Sequence, residues 1–313
     1  MIIARTLAPI ALFAYNRPQH LRRTVEALAN NPLASDSDLH LFLDGPKTEE
    51  DVEAVAEVRE YASGIKGFRF VSLVEHEKNQ GLSVSIVGGV SYLLESCERV
   101  IVLEDDIVTS PQFLEFLNDG LETYDADPEV ASIHGYMYDI QGLPETFFLR
   151  GADCWGWATW RRAWRFYNPE GRELLGRLKR ENLTQLFDLE GACENTRMLD
   201  DQVAGRNDSW AIRWHASAFL EGMLTLHPGQ SLVQNIGNDS SGTHCGSSRF
   251  YDTTIQNTYA GIKRLPVQEN AVAREKFKDF CQNKLSPRRN FYPVPVLLSR
   301  ILKALGRRFS RLV

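Results

Sequence analysis

Three consecutive acids, Glu104-Asp105-Asp106, close the apolar run Val100–Leu103. Neighbouring carboxylates repel one another, so three at the end of a buried strand cost stability unless a cation or sugar hydroxyls engage them. Their ligand atoms are hard oxygens, which favour Mg2+ or Mn2+ with phosphate completing the shell. A helix cap is the plain alternative. It is weakened by Ser110-Pro111, which gives the next helix its own serine cap and first-turn proline. Two other apolar runs end on polar groups, Asn16-Arg17 and Asp44. Arg17 offers a planar, permanently charged fork suited to phosphate, or else is a surface charge where a helix begins.

All six tryptophans fall between residues 155 and 214: Trp155, Trp157, Trp160, Trp164, Trp210 and Trp214. That confinement points to a site more than to a uniformly built core. In Cys154-Trp155-Gly156-Trp157 the indoles can cover the apolar C–H faces of pyranose rings, and Gly156 lets the backbone approach a ligand. Trp155 and Trp157 are therefore candidates for ligand contact. Trp160 and Trp164, four apart on one helical face, read as core.

The elements that must position these groups alternate. Ile10–Tyr15, Leu39–Leu43, Phe68–Val74 and Val100–Leu103 read as strands, with helices over Pro18–Ala29, Glu49–Ala62 and Leu82–Glu95 between them. This is an α/β pattern with a mixed, mostly parallel sheet flanked by helices. Ligands on such sheets bind beyond the carboxyl ends of the strands, which is where Arg17, Asp44 and the acidic triplet fall. Past about residue 130 the alternation gives way to shorter strands at Val130–Ile133 and Phe147–Leu149, then to turns rich in Gly, Asn and Ser from Leu224 to Thr243. No boundary is placed before about residue 265, with a donor-binding half over about 8–130, an acceptor-side half over about 131–265 and a helical tail from 266 to 313.

Composition removes several classes. With 43% hydrophobic and 24% charged residues, the 313-residue chain can build a packed core, and no apolar run reaches the roughly 20 residues of a membrane span. The net charge of −6 hides a basic end: residues 284–313 hold eight Lys and Arg and no acid, which leaves −14 on the rest. Such a body does not suit nucleic acid. Five scattered cysteines without a CxxC pair signal neither a zinc cage nor a disulfide framework. Neither a glycine-rich dinucleotide fingerprint nor a P-loop occurs, and Met1 to Tyr15 lacks a clear cleavage site, so a cytoplasmic location is expected. Valine, leucine and isoleucine between Val294 and Val313 alternate with Arg300, Lys303, Arg307, Arg308 and Arg311. That pattern suits a helix lying on an anionic bilayer, as on the inner face of the plasma membrane, or one docked on the acidic body.

The segments Phe13-Ala14-Tyr15-Asn16-Arg17-Pro18, Phe42-Leu43-Asp44-Gly45, Asn79-Gln80-Gly81-Leu82 and Val102-Leu103-Glu104-Asp105-Asp106-Ile107 resemble inverting nucleotide-sugar glycosyltransferases of the GT-A fold. The likeness is to N-acetylglucosaminyltransferase I and related bacterial surface-polysaccharide enzymes, and it runs on through Gly156-Trp157, Asp208-Ser209-Trp210 and Pro228 to Gly237. The resemblance implies a Rossmann-like domain, Mn2+ or Mg2+ as cofactor, a nucleotide sugar such as a UDP-sugar as donor, and a glycan or lipid-linked acceptor. Asp106 would hold the metal, Asp105 would face the ribose or a metal-bound water, and Glu104 the donor sugar. Arg17 would meet a phosphate, Asp44 the nucleobase and Trp157 the donor, with Trp155 and Trp210 on the acceptor side. Inverting transfer needs one carboxylate to take the acceptor proton, while a metal on the leaving diphosphate replaces a general acid. The resemblance offers Asp208 for that carboxylate, with Asp201 as the alternative; Asp208 also suits an N-cap. His244, in the loop Gly242-Thr243-His244, is a further candidate metal ligand. Two other functions stay open: a phosphotransferase or phosphatase using Asp44, and a non-catalytic sugar-binding protein on the same scaffold.

Overall fold

The computed structural model describes residues 6–239 and 251–285, without the side chains of 284 and 285. Four apolar segments form parallel strands, β1 (Ile10–Ala14), β2 (Asp38–Leu43), β3 (Phe70–Glu75) and β4 (Arg99–Glu104). They are joined by α1 (Pro18–Ala29), α2 (Val52–Ser63) and α3 (Leu82–Ser96). Their order is β3-β2-β1-β4, so the chain winds outward from β1 and then returns to its other side. The direction of winding switches between β1 and β4, and the carboxyl ends of those two strands flank the resulting crevice.

The pleat sends alternate residues to opposite faces. Ile10, Leu12 and Ala14 pack with Leu21 and Val25 of α1 on one side, while Ala11 and Phe13 pack with Ile86 and Val90 of α3 on the other. After β4 comes a short strand, β5 (Ile107–Thr109), and then α4 (Phe113–Thr123). Because β5 occupies the residues after the triplet, α4 begins later than Ser110-Pro111 suggests, with Gln112 at its N-cap.

Four more strands complete an eight-stranded sheet: β6 (Val130–His134), β7 (Thr146–Arg150), β8 (Trp157–Trp160) and β9 (Leu224–Pro228). The full order is β3-β2-β1-β4-β8-β6-β9-β7. β8 is antiparallel to β4 and β6, and β9 runs parallel to β6 and antiparallel to β7. A separate ribbon pairs β5 with β10 (Val233–Asn235). The helices α5 (Arg161–Trp164), α6 (Gly171–Arg180), α7 (Thr184–Phe187), α8 (Asn195–Val203) and α9 (Trp210–Leu220) precede β9. Leu174, Leu178, Phe187, Leu199, Ile212 and Phe219 give α6 to α9 a small core of their own. α10 (Ala271–Leu285) lies over β7, with Ala273 against Phe147 and Leu149.

The shared helical face expected for Trp160 and Trp164 does not form. Trp160 ends β8 and faces the α4 side, whereas Trp164 sits in α5 on the α3 side. Among the described residues no helix is long and apolar enough to cross a membrane. The basic stretch 294–313 and His244 lie outside the described residues.

Candidate active site

β1 ends where Arg17 takes the N-cap position of α1, and Pro18 sits comfortably in the first turn because that turn needs no N–H. From there the Arg17 guanidinium reaches across the switch point to the end of β4. It donates to Asp105 Oδ1 and lies 2.9 Å from Asp106 Oδ2. Burial works against its charge, but Asp105 and Asp106 outweigh that and raise its pKa. Asp105 is further fixed through its backbone carbonyl, which accepts from Thr24 Oγ1 of α1 at 2.8 Å. Burial, then the neighbouring acids, pushes the Glu104 carboxyl well above the usual carboxylate range. Burial likewise raises Asp105, against the pull of Arg17.

The β5–β10 ribbon closes the other wall. Asn235 pairs with Ile107, and the Ile236 N–H donates to the Asp106 carbonyl at 2.8 Å. That brings Gly237 against the Asp106 carboxylate, where only a hydrogen fits. Asp106 Oδ1 is left buried without a hydrogen-bond partner among the described residues. One guanidinium therefore faces three acids, and one carboxylate oxygen remains unclaimed. This donor set fits a divalent cation, since an oxygen-only site of one or two carboxylates completed by phosphate and water is the habit of Mg2+ and Mn2+. Among the described residues no group of three or more His, Cys, Asp or Glu side chains forms a self-sufficient metal cage. Any cation here would take further ligands from its substrate.

Asp44, at the end of β2, is buried and spent on backbone groups. Its Oδ1 accepts from the Gly45 and Gln80 N–H groups at 2.9 and 2.7 Å, and its Oδ2 from Gly81 at 3.0 Å. It ties β2 to the start of α3.

The tryptophans divide differently from expectation. Trp157 and Trp210 are buried and stack on each other at 5.6 Å, with Trp164 and Trp214 packed around Trp157 at 5.8 and 6.1 Å. Their faces are covered by other indoles and offer nothing to a donor or an acceptor sugar. Trp160 is also core. Trp155 alone of the six is only half buried, edge-on to Tyr136 at 4.8 Å and Tyr251 at 5.1 Å. Gly156 has φ +63 and packs against Val233, Phe113 and Ile107, so its lack of a side chain serves the loop's own packing.

Asp208 precedes α9 but is not its cap. Ser209 holds that position and accepts from the Ile212 N–H. The Asp208 carboxylate is 68% exposed and lies 3.1 Å from Arg213, which also donates to Ser83 at the start of α3. Asp208 thus stands on the α3 side of the crevice. Asp201 lies on α8 in a surface cluster with Arg206, which donates to it at 2.6 Å, and Asp200. The structure therefore brings Arg17, Glu104, Asp105 and Asp106 together, while Asp201 on α8 pairs with Arg206. It adds groups to which the sequence assigned no individual role, namely Gly237, Asp153 and a buried pair of histidines, His134 and His227.

No curated protein matches the chain in sequence. Among solved structures it is similar to a mannosyltransferase, PcManGT, from Pyrobaculum calidifontis in complex with GDP-Man and Mn2+, at 14% identity and TM-score 0.31 over 42% of this chain and 36% of that one. It is similar to S. aureus TarS 1–349 at 11% identity and TM-score 0.31, over 56% of this chain and 49% of the other. A mannose-1-phosphate geranyltransferase from Thermus thermophilus matches at 15% identity and TM-score 0.34, over 74% and 77%. The matched part of this chain thus spans little more than a third of the first of these proteins, and likenesses at such scores do not bear on assignment. The family model does: glycosyl transferase family 2 matches residues 10–182, more than half of the chain, and the chain belongs to that family.

Proposed function

We propose that the protein moves a sugar, with inversion, from a nucleotide sugar of the UDP type to a glycan or lipid-linked acceptor in surface-polysaccharide synthesis, with Mn2+ or Mg2+ bound at Asp106. The observation that carries this reading is the convergence of Arg17 and Glu104-Asp105-Asp106 at the strand switch, with Asp106 Oδ1 unclaimed. A bound divalent cation would neutralise charge building on the departing diphosphate. Arg17 would share that task, since its fork already points into the carboxylate cluster and suits phosphate oxygens. Glu104, at the strand end beside Asp105 and Asp106, would meet the donor sugar's hydroxyls. The acceptor oxygen bonds to the anomeric carbon as the carbon–phosphate oxygen bond breaks, and the acceptor proton passes to a carboxylate. Asp208, exposed just before α9, is the candidate for that proton; Asp201 is less suited because Arg206 pairs with it and with Asp200 at the surface.

The same reading takes the basic stretch 294–313 as a peripheral attachment to an anionic membrane, and deletion of residues 290–313 should then abolish binding to anionic vesicles. A thermal-shift screen of nucleotide sugars, with and without MnCl2, tests the donor assignment. Stabilisation by one donor, larger with Mn2+ and followed by release of the nucleoside diphosphate on adding acceptor, supports it. An unmoved melting temperature across the panel contradicts it.

A further inference from the structure

The buried histidines have no part in the chemistry above. β6 and β9 run parallel with Ile133 opposite Leu226, so the following residues, His134 and His227, meet at the carboxyl ends of those strands. Their Nδ1 atoms are 3.3 Å apart. Burial holds both pKa values below the ordinary histidine range, so both rings are neutral near pH 7. The Trp155 backbone N–H points at His134 Nε2, 3.2 Å away. A neutral imidazole carries one N–H, so that contact puts the His134 proton on Nδ1. Nδ1–H then faces His227 Nδ1 and the Asp153 Oδ2, which is 3.8 Å away. His134 thus holds the Trp155 end of the Asp153–Trp155 loop through Nε2, while its Nδ1–H is directed at His227 Nδ1.

Asp153 differs from the other acids considered for the site. Its Oδ1 accepts from the Cys154 N–H at 2.8 Å, its side chain is 44% exposed, and among the described residues no lysine or arginine pairs with it. Asp208 and Asp201 both face arginines. A carboxylate without a cationic partner keeps its full capacity to accept from hydroxyls. The loop also borders the triplet: a Cβ at Gly156 would lie 3.3 Å from Ile107, and the Cys154 thiol is raised by burial and then by Asp153, Glu104 and Asp106 around it.

We propose that Asp153 and Trp155 form a sugar subsite beside the triplet, the carboxylate accepting from adjacent pyranose hydroxyls while the indole covers an apolar C–H face. His134 and His227 are positioning residues for it. That the sugar held there is the acceptor rests on the transferase reading; that a sugar is held there does not.

Saturation-transfer NMR of the full chain with the methyl β-glycosides of glucose, galactose and N-acetylglucosamine tests the subsite directly. The wild type should show transfer to at least one glycoside, and Asp153→Asn should weaken its binding about tenfold, the usual scale for losing a charged hydrogen-bond partner. His134→Gln, which keeps an acceptor at the Nε2 position for the Trp155 N–H, should retain affinity that His134→Leu loses at a matched melting temperature. Asp153→Asn should still be stabilised by nucleotide sugars as the wild type is. Absence of transfer to every glycoside, equal binding by Asp153→Asn, or joint loss of glycoside and donor binding would each overturn the proposal. Failure of wild type and variant alike to bind any nucleotide sugar would instead count against the donor assignment, with the glycoside comparison still standing.

Discussion

Gly237 lies so close to Asp106 that a Cβ built on it would stand 2.1 Å from the carboxylate Oδ2. The carboxylate is buried, and the loop cannot back away because the Ile236 N–H holds the Asp106 carbonyl. Gly237→Ala must therefore push Asp106 off its position. Overpacking of this kind costs about 1–3 kcal/mol. A shift near an ångström in a reacting group lowers turnover on the order of 100-fold, so the variant should be folded by circular dichroism yet nearly inactive. Wild-type turnover would show that Asp106 need not sit where it does.

Arg17 is the cation that makes the triplet tolerable without metal. Its side chain is 18% exposed and lies against two carboxylates. Removing one partner of a buried ion pair costs about 3–5 kcal/mol, so Arg17→Met should unfold at clearly lower urea concentration than the wild type. MnCl2 should recover part of that loss in the variant. A midpoint indifferent to both the substitution and the ion would remove the charge argument.

Asp44 receives three backbone N–H groups, and an amide oxygen in its place accepts fewer while its NH2 group opposes at least one of them. Asp44→Asn is expected to lose about 1–3 kcal/mol of stability. Hydrogen exchange should quicken at Gln80 and Gly81 ahead of the rest of α3.

Acid should weaken the protein through the histidine pair. Burial, then the neighbouring His134, drives His227 down from 6.5 to about 3. Between those values the unfolded chain binds a proton that the native ring refuses, so this contribution is complete above pH 6.5 and is lost as pH falls toward 3. Urea midpoints at about pH 4.5 and pH 7 should differ by less in His227→Gln than in the wild type. An undiminished difference would place the acid sensitivity elsewhere.

The first half of the fold was readable because each parallel strand is a short, mostly apolar run and each helix carries its own spacing. Helix α1 falls on Pro18–Ala29 as expected, and β1 to β4 on their four runs. Arg17 and the triplet could be joined on paper because strand ends on one sheet share one edge. The tryptophans were misleading for a physical reason: indole suits a sugar face and a packed core equally, and only the neighbours of Trp157 and Trp210 decide between them. Strand β8, only Trp157–Trp160, was hidden by the helical spacing of Trp160 and Trp164. His134 and His227 stand far apart in sequence and meet only through the β6–β9 register, which no local pattern announces. The Asp106–Gly237 contact likewise depends on the three-residue strands β5 and β10, too short to leave a periodic signal.

The central claim is that the triplet at the end of β4 binds a diphosphate together with a divalent cation, and calorimetric titration of UDP into the protein tests it most directly. With Mn2+ present, the wild type should bind at least about tenfold more tightly than in EDTA, a difference of about 1.4 kcal/mol. Asp106→Ala should erase that difference while keeping the wild-type circular dichroism spectrum. An Asp106→Ala protein that keeps the full Mn2+ enhancement would contradict the account.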